Sequence, residues 1–284
     1  MIEIVEPGPL TTVQDLGRPG FASLGVSPSG AADRGALRLA NRLVGNPESA
    51  AGLEITLGGL VARLTVPVTL ALTGATGPVE LGGRQAFVNG PLRARAGDRL
   101  VVGPPVRGLR TYLAVRGGID VPPVLGSRST DVLAGLGPDP LARGTVLGIG
   151  APSGETPTVD QAPVAAVPDD IVLRVLPGPR DDWFTAASRG TFGTVTYTVS
   201  PQSNRIGLRF DGPALDREND AELPTEGMVR GAVQVPPDGR PVLFLADHPV
   251  TGGYPVIGVV EPADLDLAAQ ARPGQQVSFR WAPP

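Results

Sequence analysis

VLRVLPGP (172–179) repeats the pattern of IEIVEPGP (2–9), an apolar stretch rich in branched residues that is followed by Pro-Gly-Pro. Branched apolar residues favour strands, and Pro-Gly marks a turn. The preserved order of three further pairs of similar segments favours two related β domains. These pairs are GLEITLGG (52–59) with GLRFDGPA (207–214), TLALTGA (69–75) with LFLADHP (243–249), and RAGDRLVVG (95–103) with RPGQQVSFR (272–280).

Short apolar segments, separated by many of the 39 glycines and 32 prolines, continue through both halves of the 284 residues. This spacing is typical of β-barrels or sandwiches rather than of βαβ units. We therefore expect a mainly β protein. The predicted strands include LEITLGG (53–59), TLALTG (69–74), RLVVG (99–103), TYLAV (111–115), IVLRVL (171–176), GTVTYTV (193–199), PVLFLA (241–246) and QQVSFRW (275–281).

Three helices are predicted among the strands. The longest runs through AADRGALRLANRLVGN (31–46), where apolar residues recur at helical spacing. Ser29 is its expected N-cap, with Asp33 favourably placed in the first turns. Shorter helices are expected over about 180–188 and over 263–271.

The stretch GAPSGETPTVDQAPVAAVP (150–168) has no periodicity and is rich in proline, alanine and small polar residues. This composition is typical of a linker. We predict that it separates an N-terminal β domain, residues 1–160, from a C-terminal β domain, residues 169–284.

The composition excludes several kinds of chemistry. The chain contains no cysteine and one histidine, His248, and all of its 24 basic residues are arginines. A Walker nucleotide loop, a Schiff-base amine, a biotin-carrying amine and a thiol nucleophile are therefore absent. Zinc sites with several His or Cys ligands are excluded as well, so no metal is expected. Carboxylates, arginines, hydroxyls, carboxamides, tyrosines and backbone amides remain, and these suit binding of a carboxylate, urea-like or phosphate group and proton transfer by Asp or Glu.

Charge and hydropathy indicate neither nucleic acid nor membrane as a partner. The net charge is −4 and no basic stripe is visible. The longest apolar stretch, LTVPVTLALTG (64–74), is shorter than the ~18 residues of a membrane helix and predicts a strand pair or one bent strand. The first residues carry acid rather than a basic leader, so a cytoplasmic protein is expected.

Six polar loops are candidates for a ligand site, because they combine Arg, Asp, Gln or His with glycines that let a backbone approach a ligand. Each also has a structural interpretation, such as a turn, a hairpin or a capped helix. His248, beside Asp247, could titrate near neutrality or be structural. The loops are TTVQDLGRPG (11–20), SPSGAADR (27–34), AVRGGIDVPPVLGSRST (114–130), SPQSNRIGLRF (200–210), PTEGMVRGAVQVP (224–236) and LADHPVTGGYPVIG (245–258).

Several of these motifs, together with PSGAADRGALRLANRLVGN (28–46) and EGMVRGAVQVPPDGRP (226–241), resemble the biotin-dependent carboxyltransferase-domain family. This family includes the C subunit of bacterial ATP-dependent 5-oxoprolinases, allophanate hydrolase subunit 2, KipA-type antagonists of a kinase inhibitor, and half of the carboxyltransferase region of urea carboxylase. The resemblance implies two cyclophilin-like β-barrel domains with a few short helices. It also implies a KipI-like B subunit, usually joined by an A subunit, as partners.

The activity implied by the resemblance is ATP-driven opening of 5-oxoproline to L-glutamate. ATP would be used by the complex, and no biotin would be attached to this chain. Two alternatives remain open: a carboxyltransferase component for urea-type substrates, and a non-catalytic antagonist of a KipI-like inhibitor.

The candidate site residues come from the polar loops that carry the resemblance. Asn204 stands where the family often has Asp, and Pro249-Val250 replace a usual Gln-Thr. These departures put the substrate in question rather than the family. The expected catalytic residues are Asp15, Arg18, Arg205, Glu226 and Asp247, and the expected substrate-binding residues are Gln14, Ser29, Asp33, Arg34, Arg116, Gln234, His248, Thr251 and Tyr254.

Overall fold

Strands make up 37% of the chain and helices 11%, so the prediction of a mainly β protein is confirmed. A computed structural model describes residues 1–155, 157–219 and 221–283. The chain forms two compact units, the first built from Met1–Arg18, Ser29–Asp131 and Gly135–Val167, and the second from the remainder. Pro19–Pro28 and Val132–Ala134 thus belong to the second unit, although no sequence pattern marks them.

The first unit consists of two antiparallel sheets that share an apolar core. Its strands are β1 (Ile2–Pro7), β2 (Leu10–Gln14), β3 (Gly52–Thr56), β4 (Leu60–Leu64), β5 (Val68–Thr76), β6 (Val79–Leu81), β7 (Arg84–Ala86), β8 (Pro91–Ala94), β9 (Arg99–Val102), β10 (Arg107–Val115), β11 (Ile119–Asp120) and β12 (Val146–Ile149). One sheet has the order β11-β12-β1-β4-β9-β6-β7 and the other β2-β3-β10-β5-β8. The stretch 64–74 therefore contains the end of β4 and most of β5, as the strand-pair alternative predicts.

Helix α1 (Arg34–Leu43) packs on the outer face of the five-stranded sheet, where its alanines and leucines cover β5 and β10. The predicted N-cap was wrong. Asp33 caps the helix by accepting a hydrogen bond from the Ala36 amide at 2.8 Å. Ser29 instead has a positive φ of 52° and belongs to the loop before the helix. Local spacing cannot distinguish two good caps when a tertiary contact fixes the loop.

The second unit is a closed barrel with the order β13-β20-β17-β18-β15-β14-β21, which confirms a barrel for this half. Its strands are β13 (Asp170–Pro177), β14 (Thr196–Val199), β15 (Gly207–Asp211), β17 (Ala232–Gln234), β18 (Val242–Phe244), β20 (Val256–Val260) and β21 (Gln276–Trp281), while β16 (Glu226–Gly227) and β19 (Thr251–Gly252) form a separate pair. A cluster of aromatic rings, including Phe192, Tyr197, Phe210 and Phe279, fills the interior with centroid distances of 4.5 to 6.4 Å.

The two short helices of the second unit are displaced from their predicted positions. The segment expected as a helix over 180–188 is a 3-10 turn (Asp181–Trp183) followed by α2 (Ala186–Thr194), so α2 takes the first residues of the predicted strand 193–199. The segment over 263–271 is a 3-10 turn (Pro262–Asp264) and a single turn of helix, α3 (Leu265–Ala268). Thr185 caps α2, because its side chain accepts a hydrogen bond from the Ser188 amide. Helix propensity averaged along the segment does not reveal such a cap.

The linker predicted over 150–168 has no helix or strand in its described residues, and it lies against the first unit. Arg116 donates to the carbonyls of Gly154 and Glu155. The Ala162 amide donates to the Asn89 carbonyl at 2.7 Å. The segment is therefore anchored at two points. No helix in the described part of the chain has the length and apolar character needed to cross a bilayer.

Tyr197 offers a test of the barrel core. Its side chain is fully buried, its hydroxyl has no hydrogen-bond partner among the described residues, and burial raises its pKa to about 12. In the unfolded chain a tyrosine titrates near ~10. The unfolded state therefore loses a proton first as the pH rises, and stability should fall between about pH 10 and 12 by up to ~1.4 kcal/mol per unit.

We expect Tyr197→Phe to keep or raise stability at neutral pH and to flatten this alkaline loss. Both tryptophans, Trp183 and Trp281, lie in the second unit, so urea unfolding followed by tryptophan fluorescence reports on that unit. With no lysine or cysteine in the chain, tyrosines dominate side-chain titration in this range. An equally steep alkaline loss in the variant would contradict the assignment.

Candidate functional site

The carboxylate of Asp15, at the end of β2, joins two distant segments of the first unit. Its Oδ1 accepts hydrogen bonds from the Gly17 amide at 2.8 Å and from the Ser127 and Ser129 hydroxyls, each at 2.6 Å. Its Oδ2 accepts from the Arg128 amide at 2.7 Å. We call the residues around this carboxylate the Asp15 cluster. Four donors satisfy a charge that would otherwise be costly to bury.

Arg18 is buried beside the Asp15 cluster. Its Nε donates to the Val124 carbonyl at 3.4 Å, its Nη2 donates to the Ser129 carbonyl, and its Nη1 lies 3.8 Å from a carboxylate oxygen of Asp131. The guanidinium therefore holds the turn at 124–131 from within. The catalytic role predicted for Arg18 is not tested by these contacts and stays a prediction.

The loop that precedes α1 packs onto the same cluster. The Ala31 amide donates to the Asp15 carbonyl at 2.9 Å, and the Ser29 hydroxyl donates to the Thr130 carbonyl at 3.3 Å. At Gly30, with φ of 89°, a Cβ would lie 2.8 Å from the backbone of the facing turn, so only glycine fits. Ser29 itself holds a left-handed conformation, a strain that often accompanies functional sites.

Gln14 contributes an unused acceptor. Its amide nitrogen donates to the Thr12 hydroxyl at 3.0 Å and to the Thr130 carbonyl at 2.9 Å. Its Oε1 is buried and has no hydrogen-bond partner among the described residues. A buried carbonyl without a donor is unusual, so this atom suits a water or a ligand N–H.

Glu54, Tyr112 and Arg110 form a buried network that the sequence did not mark as functional. Glu54 accepts from the Ala32 amide at 2.9 Å and from the Tyr112 hydroxyl at 2.7 Å, and Arg110 lies 3.4 Å from its other oxygen. The Tyr112 hydroxyl in turn accepts from the Asp33 amide at 2.7 Å. Burial, followed by the charge of Glu54, raises the Tyr112 pKa well above its usual value. The sequence signal that could have revealed this network is Glu54 itself, a carboxylate within the apolar strand β3.

Two predicted arginines of the first unit differ in their settings. Arg34, the first residue of α1, is half-buried, and its Nη2 lies 3.4 Å from the Ser29 carbonyl. Arg116 follows β10 and donates to the carbonyl of Val44, just after α1 ends, at 2.9 Å. Because α1 is about 15 Å long, these two guanidiniums contact its opposite ends. Arg116 therefore lies apart from the Asp15 cluster.

In the second unit, Arg205 and Asp247 form a buried two-point ion pair. Nε and Nη2 of Arg205 each donate to a carboxylate oxygen at 2.9 Å. The Val132 amide also donates to Asp247, at 3.1 Å. The pair thus fixes the inserted segment Val132–Ala134, and its catalytic role stays a prediction.

His248 follows this pair and is buried rather than exposed, with 4% of its surface accessible. Its Nδ1 lies 2.7 Å from the Pro249 carbonyl oxygen, and its ring is 6.4 Å from that of Phe244. The carboxamide oxygen of Asn204 accepts from the Ile206 amide at 2.8 Å and closes a local turn. A family Asp at that position would offer the same acceptor, so this departure conserves the turn.

Glu226 and Thr251 lie on the small β16–β19 pair. Glu226 accepts from Arg180 Nε at 2.9 Å, and this hydrogen bond raises the Arg180 pKa. The Arg180 guanidinium also stands 6.0 Å from the ring of Trp183. Thr251 is exposed on the neighbouring strand, where it pairs with Gly227.

Gln234 lies beside the same β16–β19 pair. Its amide nitrogen donates to the Tyr254 carbonyl at 3.0 Å. A Cβ on Gly252 would lie 2.6 Å from that nitrogen, so a larger residue there would have to displace the end of the Gln234 side chain. The Tyr254 side chain is 44% exposed and available for contact.

The structure therefore groups the predicted residues into separate sets, each within one unit. The described residues include no group of three or more His, Cys, Asp or Glu side chains that could hold a metal ion. The sets are Gln14, Asp15, Arg18, Ser29, Asp33 and Arg34 around the Asp15 cluster; Arg205, Asp247 and His248 in the barrel; and Glu226, Gln234, Thr251 and Tyr254 at the β16–β19 pair.

Residues 24–281 match the family described as "Carboxyltransferase domain, subdomain A and B". The chain belongs to this family. It is 42% identical to the C subunit of 5-oxoprolinase from Escherichia coli (strain K12), covering 98% of this chain and 90% of that protein. It is 34% identical to urea amidolyase of Saccharomyces cerevisiae (strain ATCC 204508 / S288c), covering 98% of this chain but 16% of that protein.

The fold is also that of a solved relative. The crystal structure of the K. lactis urea amidolyase superposes with a TM-score of 0.90 at 32% identity, covering 98% of this chain and 18% of that one. The fold class implied by the family resemblance is thereby confirmed over nearly the whole chain.

We expect Asp15→Asn to lower the free energy of unfolding of the first unit by about 2–4 kcal/mol, because an amide would place an N–H against donors that now point at a carboxylate. Asp139→Asn, an exposed change in the same unit, is the matched control and should alter stability by less than about 0.5 kcal/mol. Calorimetry of both variants measures the difference. If the unfolding transitions of the two variants were equal, the stability that the four donors contribute would not depend on the negative charge of Asp15.

Proposed function

We propose that this chain acts as the C subunit of an ATP-dependent 5-oxoprolinase, which opens the lactam of 5-oxoproline to give L-glutamate. The observation that carries the proposal is the 42% identity to the E. coli protein of that name, along 98% of this chain and 90% of that protein. Similarity over two chains of nearly equal extent favours the same role in a complex.

A urea carboxylase or allophanate hydrolase component is the second candidate. It is favoured by the TM-score of 0.90 to the K. lactis urea amidolyase, whose name indicates urea as the substrate. This chain spans only 18% of that protein, so the remaining chemistry would have to be supplied by other chains. A third interpretation, a non-catalytic antagonist of a KipI-like inhibitor, rests on the family resemblance alone.

The lactam is unreactive, so the proposed reaction divides into activation and ring opening. In the first step ATP would transfer a phosphoryl group to the amide oxygen and leave as ADP. In the second, water would add to the activated carbon, the C–N bond would break, and hydrolysis would release phosphate and L-glutamate, with positive groups stabilising the developing charge. Within this chain, Arg18 and Arg205 donate to internal carbonyls and carboxylates. Neither fits a triphosphate, and we assign ATP to no residue of this chain.

Arg34 is the guanidinium that best suits the carboxylate of 5-oxoproline. It is half-buried beside the strained Ser29 and borders the Asp15 cluster without being enclosed by it. A two-point contact between a guanidinium and a carboxylate gives both affinity and orientation. Gln14 Oε1, the unused acceptor of the same cluster, suits the lactam N–H.

The name of the E. coli relative implies further subunits, which we propose to be a KipI-like B subunit, joined by an A subunit. We expect the purified chain to be inactive and the complex reconstituted from all three proteins to make L-glutamate from 5-oxoproline in an ATP-dependent manner. Glutamate is measured by coupled assay, with complexes that lack one protein as controls. A complete complex that makes no glutamate but consumes urea would favour the second candidate, and a tight complex with no turnover would favour the antagonist.

In the active complex, Arg34→Gln should raise KM for 5-oxoproline at least about tenfold, because a charge-assisted contact to the substrate carboxylate is lost. The matched control is Arg42→Gln, which lies on the same helix and is exposed beside Glu48. KM and kcat are measured for both variants, together with retention of the partner proteins. Equal KM values in the two variants would remove Arg34 from the site.

A further inference from the structure

An open cavity of about 860 Å³ lies in the first unit, at the end of the five-stranded sheet and apart from the Asp15 cluster. Three of its lining residues, Arg93, Thr69 and Arg116, lie side by side across β8, β5 and the end of β10. Arg93 on β8 pairs directly with Thr69 on β5, and Arg116, just after β10, donates its amide to the Thr69 carbonyl at 2.8 Å. Directly paired residues project on the same face, so Thr69 lies between two guanidinium-bearing side chains.

The two arginines are held differently. Arg116 is fixed by the carbonyls of Val44, Gly154 and Glu155, which keeps a rigid positive group at one side of the cavity. Arg93 is exposed, and its guanidinium has no hydrogen bond or ion pair among the described residues. No acidic side chain lines the cavity in the described part of the chain. The row Arg93–Thr69–Arg116 is therefore positive and has an unused cation.

The remaining lining is mostly apolar. Val66, Pro67, Ile149 and Pro152 contribute, and Pro152 belongs to the anchored segment that follows β12. Apolar walls with a few convergent polar groups are typical of small-molecule sites, and the volume falls within their usual range of roughly 300–1,000 Å³. A positive row beside such walls is complementary to a ligand with one negative group and an apolar body.

We propose that this cavity is a binding site for a small monocarboxylic acid with an apolar body. The carboxylate binds Arg93 and the Thr69 hydroxyl, with Arg116 adding positive potential, and the body packs on Val66, Pro67 and Ile149. The site goes beyond the proposed 5-oxoprolinase function, because its ligand is not turned over there and because the Asp15 cluster is not part of it.

The test uses the full isolated chain and a matched pair of probes, 4-phenylbutanoate and its uncharged amide, 4-phenylbutanamide. In a titration of ¹⁵N-labelled protein, we expect the acid to bind with a dissociation constant near about 1 mM and to shift the amides of Thr69, Arg93, Gly148 and Gly150. The amide should bind at least about tenfold more weakly. Equal binding of acid and amide, or no binding of the acid, would overturn the proposal.

Two pairs of variants locate the site. Arg93→Gln should raise the dissociation constant of the acid at least about fivefold. Arg95→Gln, which changes an exposed neighbour outside the cavity, should leave that constant unchanged. Val66→Trp should fill the cavity and abolish binding, whereas Val106→Trp, 70% exposed in the same unit, should leave it intact. All four positions are exposed, so the variants should fold. Equal effects within either pair would overturn the assignment.

Competition separates this inference from the proposed function. An excess of 5-oxoproline should leave the bound 4-phenylbutanoate in place. Displacement at the Arg93-dependent site would show that the cavity is a substrate site and would overturn the inference of a separate ligand. Because binding is measured without ATP, partners or turnover, a failure here leaves the reconstituted assay unaffected, and an inactive complex leaves this measurement unaffected.

Discussion

The charge on Asp15 is the constraint around which the first unit is organised. A carboxylate with 8% exposure needs its lone pairs satisfied, and the four donors come from its own turn and from a segment more than 110 residues away. Fixing those donors fixes the turn at 124–131, which in turn gives Arg18 its carbonyl partners. The loop before α1 then closes onto the Asp15 backbone, and α1 follows from it.

In the barrel, too, a buried carboxylate is satisfied by several hydrogen-bond donors, but the residues are different. Arg205 and Asp247 satisfy each other at two points, and the spare capacity of the carboxylate holds Val132. A buried ion pair adds less to net stability than its geometry suggests, because both charges lose hydration. The same carboxylate also accepts from the Val132 amide, so the ion pair helps to position the inserted segment. Arg18 and Arg205 are enclosed by these contacts and Arg34 is partly open to solvent, while the catalytic roles predicted for Arg18 and Arg205 stay predictions.

The parts of the fold that the sequence predicted are those set by local pattern. Branched and apolar segments between Gly and Pro turns located β3, β5, β9, β10, β13 and β21 within a few residues, because strand propensity and turn residues are local signals. The polar loops were found for the same local reason. What escaped depends on partners distant in sequence: the cap at Asp33 rather than Ser29, the Glu54–Tyr112 network, and the transfer of Pro19–Pro28 to the second unit.

The absence of lysine and cysteine has a sharper meaning once these contacts are known. Most charged groups of the Asp15 cluster and of the barrel already have partners within their own unit, so they cannot also reorganise around a reacting group at low cost. Preorganised groups of this kind serve catalysis by holding a binding surface in place before the ligand arrives. Around the Asp15 cluster, Arg34 is partly open to solvent and Gln14 Oε1 has no hydrogen-bond partner among the described residues, so these two groups differ from the enclosed charges beside them.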